Sequence, residues 1–214
     1  MSPRLLVANP NTSADISEKM AATARAIAGP RATILPLTAP FGAPALETEA
    51  DLAVAADAVA AMLRRADCDG AIIAAFGDPG LKAARTAAPM PVAGLGESGL
   101  IVAGEGGRPF AVLTLGPALK SAIEAKVAGL GLGAQLVGIE FLPAGVRDVA
   151  AAPERFFDAI LAEAEALHHR GAAAVLLGGA PFSGLAKLLS ERSALPLVDG
   201  LTSAVERLLT ILGV

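Results

Sequence analysis

Tryptophan and tyrosine are absent from the chain, phenylalanine occurs seven times, and there is a single cysteine, Cys68. Proteins that grip single-stranded nucleic acid stack bases on aromatic side chains, and this chain has few to offer. One thiol builds neither a disulfide framework nor a cysteine zinc cluster. The two histidines, His168 and His169, are adjacent at the end of a helical stretch, so no multi-histidine metal site is available. An excess of basic charge is also missing: 17 Lys and Arg stand against 21 Asp and Glu, for a net charge of −4. That balance argues against a nucleic-acid partner. Long hydrophobic runs are lacking despite a mean hydropathy of +0.58. Low-charge stretches such as Ala128–Ile139, which contains Gly and Gln, fall short of the ~20 apolar residues a membrane helix needs. The N-terminal Met1-Ser2-Pro3-Arg4 leads straight into a short apolar segment and lacks the core of a signal peptide. These absences predict a soluble cytoplasmic protein with no membrane partner.

What is present is a 54% apolar chain of 214 residues, enough for one domain or two small lobes. Apolar runs that end in turn residues alternate with helical patterns. Strands are predicted at Leu5–Ala8, Ala32–Leu37, Gly70–Ala75, Phe110–Thr114, Gln135–Glu140 and Ala172–Leu177, with shorter ones at Pro91–Leu95 and Pro196–Val198. Helices are predicted from a Thr12–Asp15 capping box onward, over Glu47–Asp67, Leu81–Thr86, Ala118–Gly129, Glu154–Arg170 and Leu185–Arg192, and from Ser203. The class is α/β with mostly parallel sheets.

The pattern runs twice. Ala75 and Gly179 occupy the same strand end 104 positions apart, and Gly80-Leu81 matches Gly184-Leu185 at the same offset. Gly94–Ser98 matches Asp199–Ser203 at an offset of 105, and Leu5–Val7 matches Ala111–Leu113 at 106. Such a repeat predicts two pseudo-symmetric lobes, each a short parallel sheet flanked by helices. Their expected bounds are 1–98 plus 199–214 for the first and 99–198 for the second. Large, weakly charged helix faces predict a homo-oligomer.

In open parallel sheets, ligands bind beyond the carboxyl ends of the strands. Four such ends are poor in bulky side chains: Asn9–Ser13, Phe76–Gly80, Thr114–Pro117 and Gly178–Ser183. Each runs toward a helix N-terminus, where free N–H groups favour an anion or a carbonyl oxygen. Converging loops of this kind suit a small carboxylate or cyclic imide. Asn9, Asn11, Thr12, Ser13, Phe76, Gly77, Thr114, Gly178, Ala180 and Pro181 are the candidate binding residues. Taken singly, each loop reads as a plain βα turn. There is no P-loop, and Gly104-Glu105-Gly106-Gly107 precedes a strand instead of following one, so neither a nucleotide nor any other cofactor is expected.

Leu5-Leu6-Val7-Ala8-Asn9-Pro10-Asn11-Thr12-Ser13 resembles the opening of hydantoin racemases, and Ile72–Leu81 resembles their central motif. Pro91–Ser98 resembles the segment that follows, and Leu177–Pro181 falls at their second motif. The chain therefore resembles the aspartate/glutamate/hydantoin racemase superfamily, which also holds allantoin racemase, maleate isomerase and arylmalonate decarboxylase. The resemblance implies two lobes with a site between them and chemistry at a carbon next to a carbonyl. It also implies two catalytic cysteines, at the positions held here by Ala75 and Gly179. Neither residue carries a proton, so the two-thiol mechanism does not transfer. Cys68 precedes its strand and belongs at the far end of the sheet.

Three bases remain to be considered. Asp78 is the nearest carboxylate, three residues past Ala75, although an Asx turn or helix cap explains it as well. Glu97 and Asp199 follow the last strand of each lobe and have the same alternative reading. Carboxylates do such work when burial raises their pKa. The expected activity is a racemase or isomerase acting at the α-carbon of a small amino-acid derivative, cyclic imide or carboxylate. The alternatives are a non-catalytic binder of such a ligand and a cysteine-independent lyase or isomerase on the same fold. Lys120 and Arg85 are placed to neutralise a carboxylate or to sit on solvated helix faces.

Overall fold

The computed structural model describes residues 2–214. The first half contains β1 (Arg4–Asn9), α1 (Ala14–Ala28), β2 (Thr33–Thr38), α2 (Glu49–Leu63), β3 (Gly70–Ile73), α3 (Leu81–Ala87), β4 (Val92–Gly94) and α4 (Leu95–Ala103). The second contains β5 (Phe110–Thr114), α5 (Lys120–Gly129), β6 (Leu136–Phe141), α6 (Val146–Ala151), α7 (Phe157–His169), β7 (Ala174–Gly178), α8 (Leu185–Leu189), β8 (Leu197–Asp199) and α9 (Gly200–Ile211). One sheet has the order β2-β1-β3-β4 and the other β6-β5-β7-β8, with every pairing parallel. The same topology drawn twice is the sequence repeat seen in three dimensions.

The central strands β1, β3, β5 and β7 are apolar on both faces because helices cover both faces of each sheet. In the first lobe, Leu5, Val7 and Ile72 pack against α1 and α9, while Leu6, Ala71 and Ile73 pack against α2 and α3. In the second lobe, Ala111, Leu113 and Leu177 pack against α7 and α8, while Phe110, Val112 and Leu176 pack against α4 and α5.

Two helices cross over. α9 follows the last strand of the second lobe, yet Leu201, Val205 and Leu208 complete the core of the first. α4 follows the last strand of the first lobe, yet Leu100 and Ala103 enter the core of the second. The crossing is tight at two glycines. A Cβ on Gly200 would lie 2.5 Å from the Leu95 carbonyl oxygen, and one on Gly99 would lie 2.7 Å from a Leu176 methyl.

Three local expectations change. Helix α1 begins without a capping box: Ser13 is its N-cap residue and no side chain caps it. The box forms instead at α2, where Thr48 and Asp51 satisfy each other's backbone N–H. Helices α4 and α6 were not anticipated. The Gly104–Gly107 connection is a short 3₁₀ turn with positive φ at Gly106 and Gly107.

Candidate functional site

The carboxyl ends of β1, β3, β5 and β7 surround a cavity of about 80 Å³. All four predicted loops reach it: Asn11 from the first; Phe76 and Gly77, next to Ala75, from the second; Thr114 and Leu115 from the third; and Gly178, Gly179, Ala180 and Pro181 from the fourth. Leu46, Leu52, Leu119, Ile123 and Val146 add an apolar wall that the sequence reading did not identify. Among the described residues, Lys126 is the one titratable side chain on its surface.

Asn9 does not line the cavity. It is fully buried, and its Nδ2 donates to Asn11 Oδ1 at 2.8 Å and to Ser17 Oγ at 3.0 Å. The N–H of Ser13 also donates to Asn11 Oδ1, at 2.9 Å. With Oδ1 engaged twice, Asn11 has its Nδ2 left to present to a guest. Thr12 and Ser13 stand outside the cavity, with Thr12 N–H bonded to the Ala43 carbonyl at 3.0 Å. Thr114 Oγ1 donates to the Gly178 carbonyl and ties β5 to the end of β7.

Two equivalent turns face each other here. The N–H groups of Ala75, Phe76 and Gly77 on one side, and of Gly179 and Ala180 on the other, meet no acceptor among the described residues. Unpaired N–H groups of this kind suit a carbonyl oxygen or an anion. The two sides differ in backbone. Gly179 has a φ of 137°, which a residue with a side chain rarely adopts. A Cβ on Gly178 would lie 2.7 Å from Phe76 Cζ, so the Phe76 ring rests directly on that strand end.

Asp78 lies behind the cavity wall. It is buried, with a left-handed φ of 47°. One oxygen accepts from Gly96 N–H at 2.8 Å, and the other from Glu97 N–H at 2.7 Å. The second oxygen also accepts from Lys126 Nζ at 2.6 Å. Burial pushes its carboxyl above the usual range, against the pull of Lys126 and the two N–H groups. Lys126 comes from the other lobe and also donates to the Phe76 carbonyl at 2.8 Å. Glycines make this approach possible. A Cβ on Gly96 would lie 2.0 Å from the Phe76 oxygen, and one on Gly94 would lie 2.5 Å from Asp78 Cγ.

The other candidates are engaged elsewhere. Glu97 makes a two-pronged pair with Arg85 at 2.8 and 2.9 Å, which holds its carboxyl below the usual range. Asp199 caps α9 by accepting from Thr202 N–H at 2.9 Å, and burial raises its pKa. Lys120 pairs with Glu124 on the surface. Cys68 lies just before β3, at the opposite end of the strand from the cavity, and burial pushes its thiol up. No group of three or more metal-ligating side chains occurs among the described residues, and no helix there is long and apolar enough to cross a membrane.

Residues 5–208 match the family model described as Asp/Glu/Hydantoin racemase. The chain is 31% identical over 210 residues to a hydantoin racemase of Rhizobium meliloti, covering 96% of this chain and 87% of that one. It is 28% identical over 207 residues to a hydantoin racemase of Pseudomonas sp. (strain NS671), covering 95% and 83%. The solved structure of allantoin racemase from Klebsiella pneumoniae superimposes with a TM-score of 0.91 at 30% identity, over 99% of this chain and 88% of that one.

Proposed function

The chain belongs to the Asp/Glu/hydantoin racemase family, and on that footing we propose that it acts at the carbon between ring nitrogen and carbonyl in a small cyclic ureide or imide of the hydantoin or allantoin kind. It is a racemase-family enzyme whose two thiol positions are filled by Ala75 and Gly179. One observation carries the reading: two equivalent strand ends with unpaired N–H groups line one cavity, which Asn11 lines as well.

Abstraction of an α-proton moves charge onto the neighbouring carbonyl oxygen. Fixed N–H donors stabilise that charge without reorganising during the reaction. The apolar wall of Leu46, Leu52 and Val146 suits the ring substituent. Neither Ala75 nor Gly179 exchanges a proton, so both faces of the carbon cannot be served by thiols.

The test is proton NMR in D2O with chiral 5-substituted hydantoins, allantoin, aspartate and glutamate. Loss of the α-proton signal on a cyclic ureide is the expected result. Exchange on free aspartate or glutamate alone would overturn the substrate class. Silence across the panel, from protein shown to be folded, would overturn the activity.

A further inference from the structure

We infer that Lys126 is the proton-transferring group of this cavity and that Asp78 is its positioning partner and its proton outlet. The inference rests on the proposed α-carbon chemistry. Lys126 is carried by α5 at the helical spacing of Ala122 and Ile123, which line the same cavity. Its Nζ reaches across the lobes to the turn that follows Ala75. There it spends two of its three donor positions, one on the Phe76 carbonyl and one on Asp78. The third has no partner among the described residues.

The pair also forms a partition. Lys126 and Gly77 line the inner cavity, and both line a second, outer cleft shared with Asp78, Arg85 and Glu97. A proton taken inside has a route of one hydrogen bond to the outside. Asp78 itself has no surface in the inner cavity, so it acts through the lysine.

The Nζ ammonium passes one proton to Asp78 Oδ2, 2.6 Å away, leaving a neutral amine beside a neutral carboxyl. The amine takes the substrate's α-proton: a C–H bond breaks, an N–H bond forms, and the electron pair moves to the carbonyl oxygen. Return of a proton from Nζ re-forms the C–H bond, and the Asp78 proton goes back to Nζ. Exchange of Asp78 through the outer cleft brings solvent hydrogen into the product. Burial of Asp78, which favours its neutral form, lowers the cost of the first transfer.

Three variants test it by α-proton exchange in D2O, alongside thermal-shift titration with the same hydantoin. Lys126→Met removes the amine. Lys126→Arg keeps a charged bridge to Asp78 but does not give up its proton. Lys126→Ala leaves room for added methylamine. Exchange is expected to fall by roughly 10²–10⁴-fold in the first two while ligand stabilisation persists, and to rise with methylamine concentration in the third. Wild-type rates in the Met or Arg variant, or no rescue by methylamine, would overturn Lys126 alone. A silent wild-type protein would overturn the reading beneath it.

Discussion

Asp78 does for α4 what Asp199 does for α9. Asp199 is the residue before its helix, and its carboxylate takes the N–H of Thr202. The matching position before α4 is Gly94, which has no side chain, and the carboxylate that takes the matching N–H, that of Glu97, arrives from the β3 turn. One lobe caps its crossing helix from within. The other caps it from a loop whose other partner is Lys126, at the cavity.

Removing Asp78 therefore breaks a cap and a buried ion pair together. Asp78→Ala is expected to cost roughly 3–5 kcal/mol, because it leaves Lys126 without its partner. In a Lys126→Met background the same change should cost less. Chemical denaturation of the two single variants and the double variant measures the difference, and additive costs would contradict the coupling.

Gly96→Ala tests the space that admits this loop. The new methyl would fall 2.0 Å from the Phe76 oxygen, a backbone atom with little freedom to retreat. A loss of about 1–3 kcal/mol is expected on thermal or urea unfolding. Weaker hydantoin binding should accompany it, since Phe76 lines the cavity.

Thiols introduced at the two proposed thiol positions should be tolerated on one side only. Ala75→Cys is expected to leave stability unchanged and to add a second route for α-proton exchange. Gly179→Cys places a side chain at a φ of 137° and should cost roughly 1–3 kcal/mol. Equal stabilities for the two variants would mean that the Gly179 backbone relaxes freely.

Glu97 supplies an acid-sensitive contribution. Arg85 holds its carboxyl below the ordinary value of 4.5, so the folded state binds its proton less readily than the unfolded chain. Its stabilisation is present above that value and is lost as pH falls through the lowered pKa. Glu97→Gln should cost up to about 1 kcal/mol at neutral pH, solvent screening of the half-exposed pair included, and flatten the acid side of the stability curve. Denaturation at a series of pH values reads both effects.

The strands were legible because doubly covered parallel strands are short apolar runs bounded by turn residues, and Phe110–Thr114 was placed to the residue. The four loops were legible for the same reason, and each reaches the cavity. Helix α4 was not. Its sequence, Leu95–Ala103, contains Gly96 and Gly99 and is buried on several faces, so it shows no amphipathic stripe. Lys126 was hidden differently. On its own helix it is one charge among several, and its partner lies 48 residues away in the other lobe. Nothing local announces such a contact. The spacing of Asn9 and Asn11 gave no sign of which would be support and which would face the guest.

The exchange of α4 and α9 constrains how anything enters. Pulling the lobes apart as rigid bodies would tear Leu201, Val205 and Leu208 from the first core and Leu100 and Ala103 from the second. The fold is thus braced against a clamshell opening. The segments around Leu46 and Val146 line the cavity from outside that brace, and the hydrogen bond between them, from Val146 N–H to Glu47 Oε1, is long at 3.3 Å. The two halves are interlocked at their base, and traffic is left to the rim.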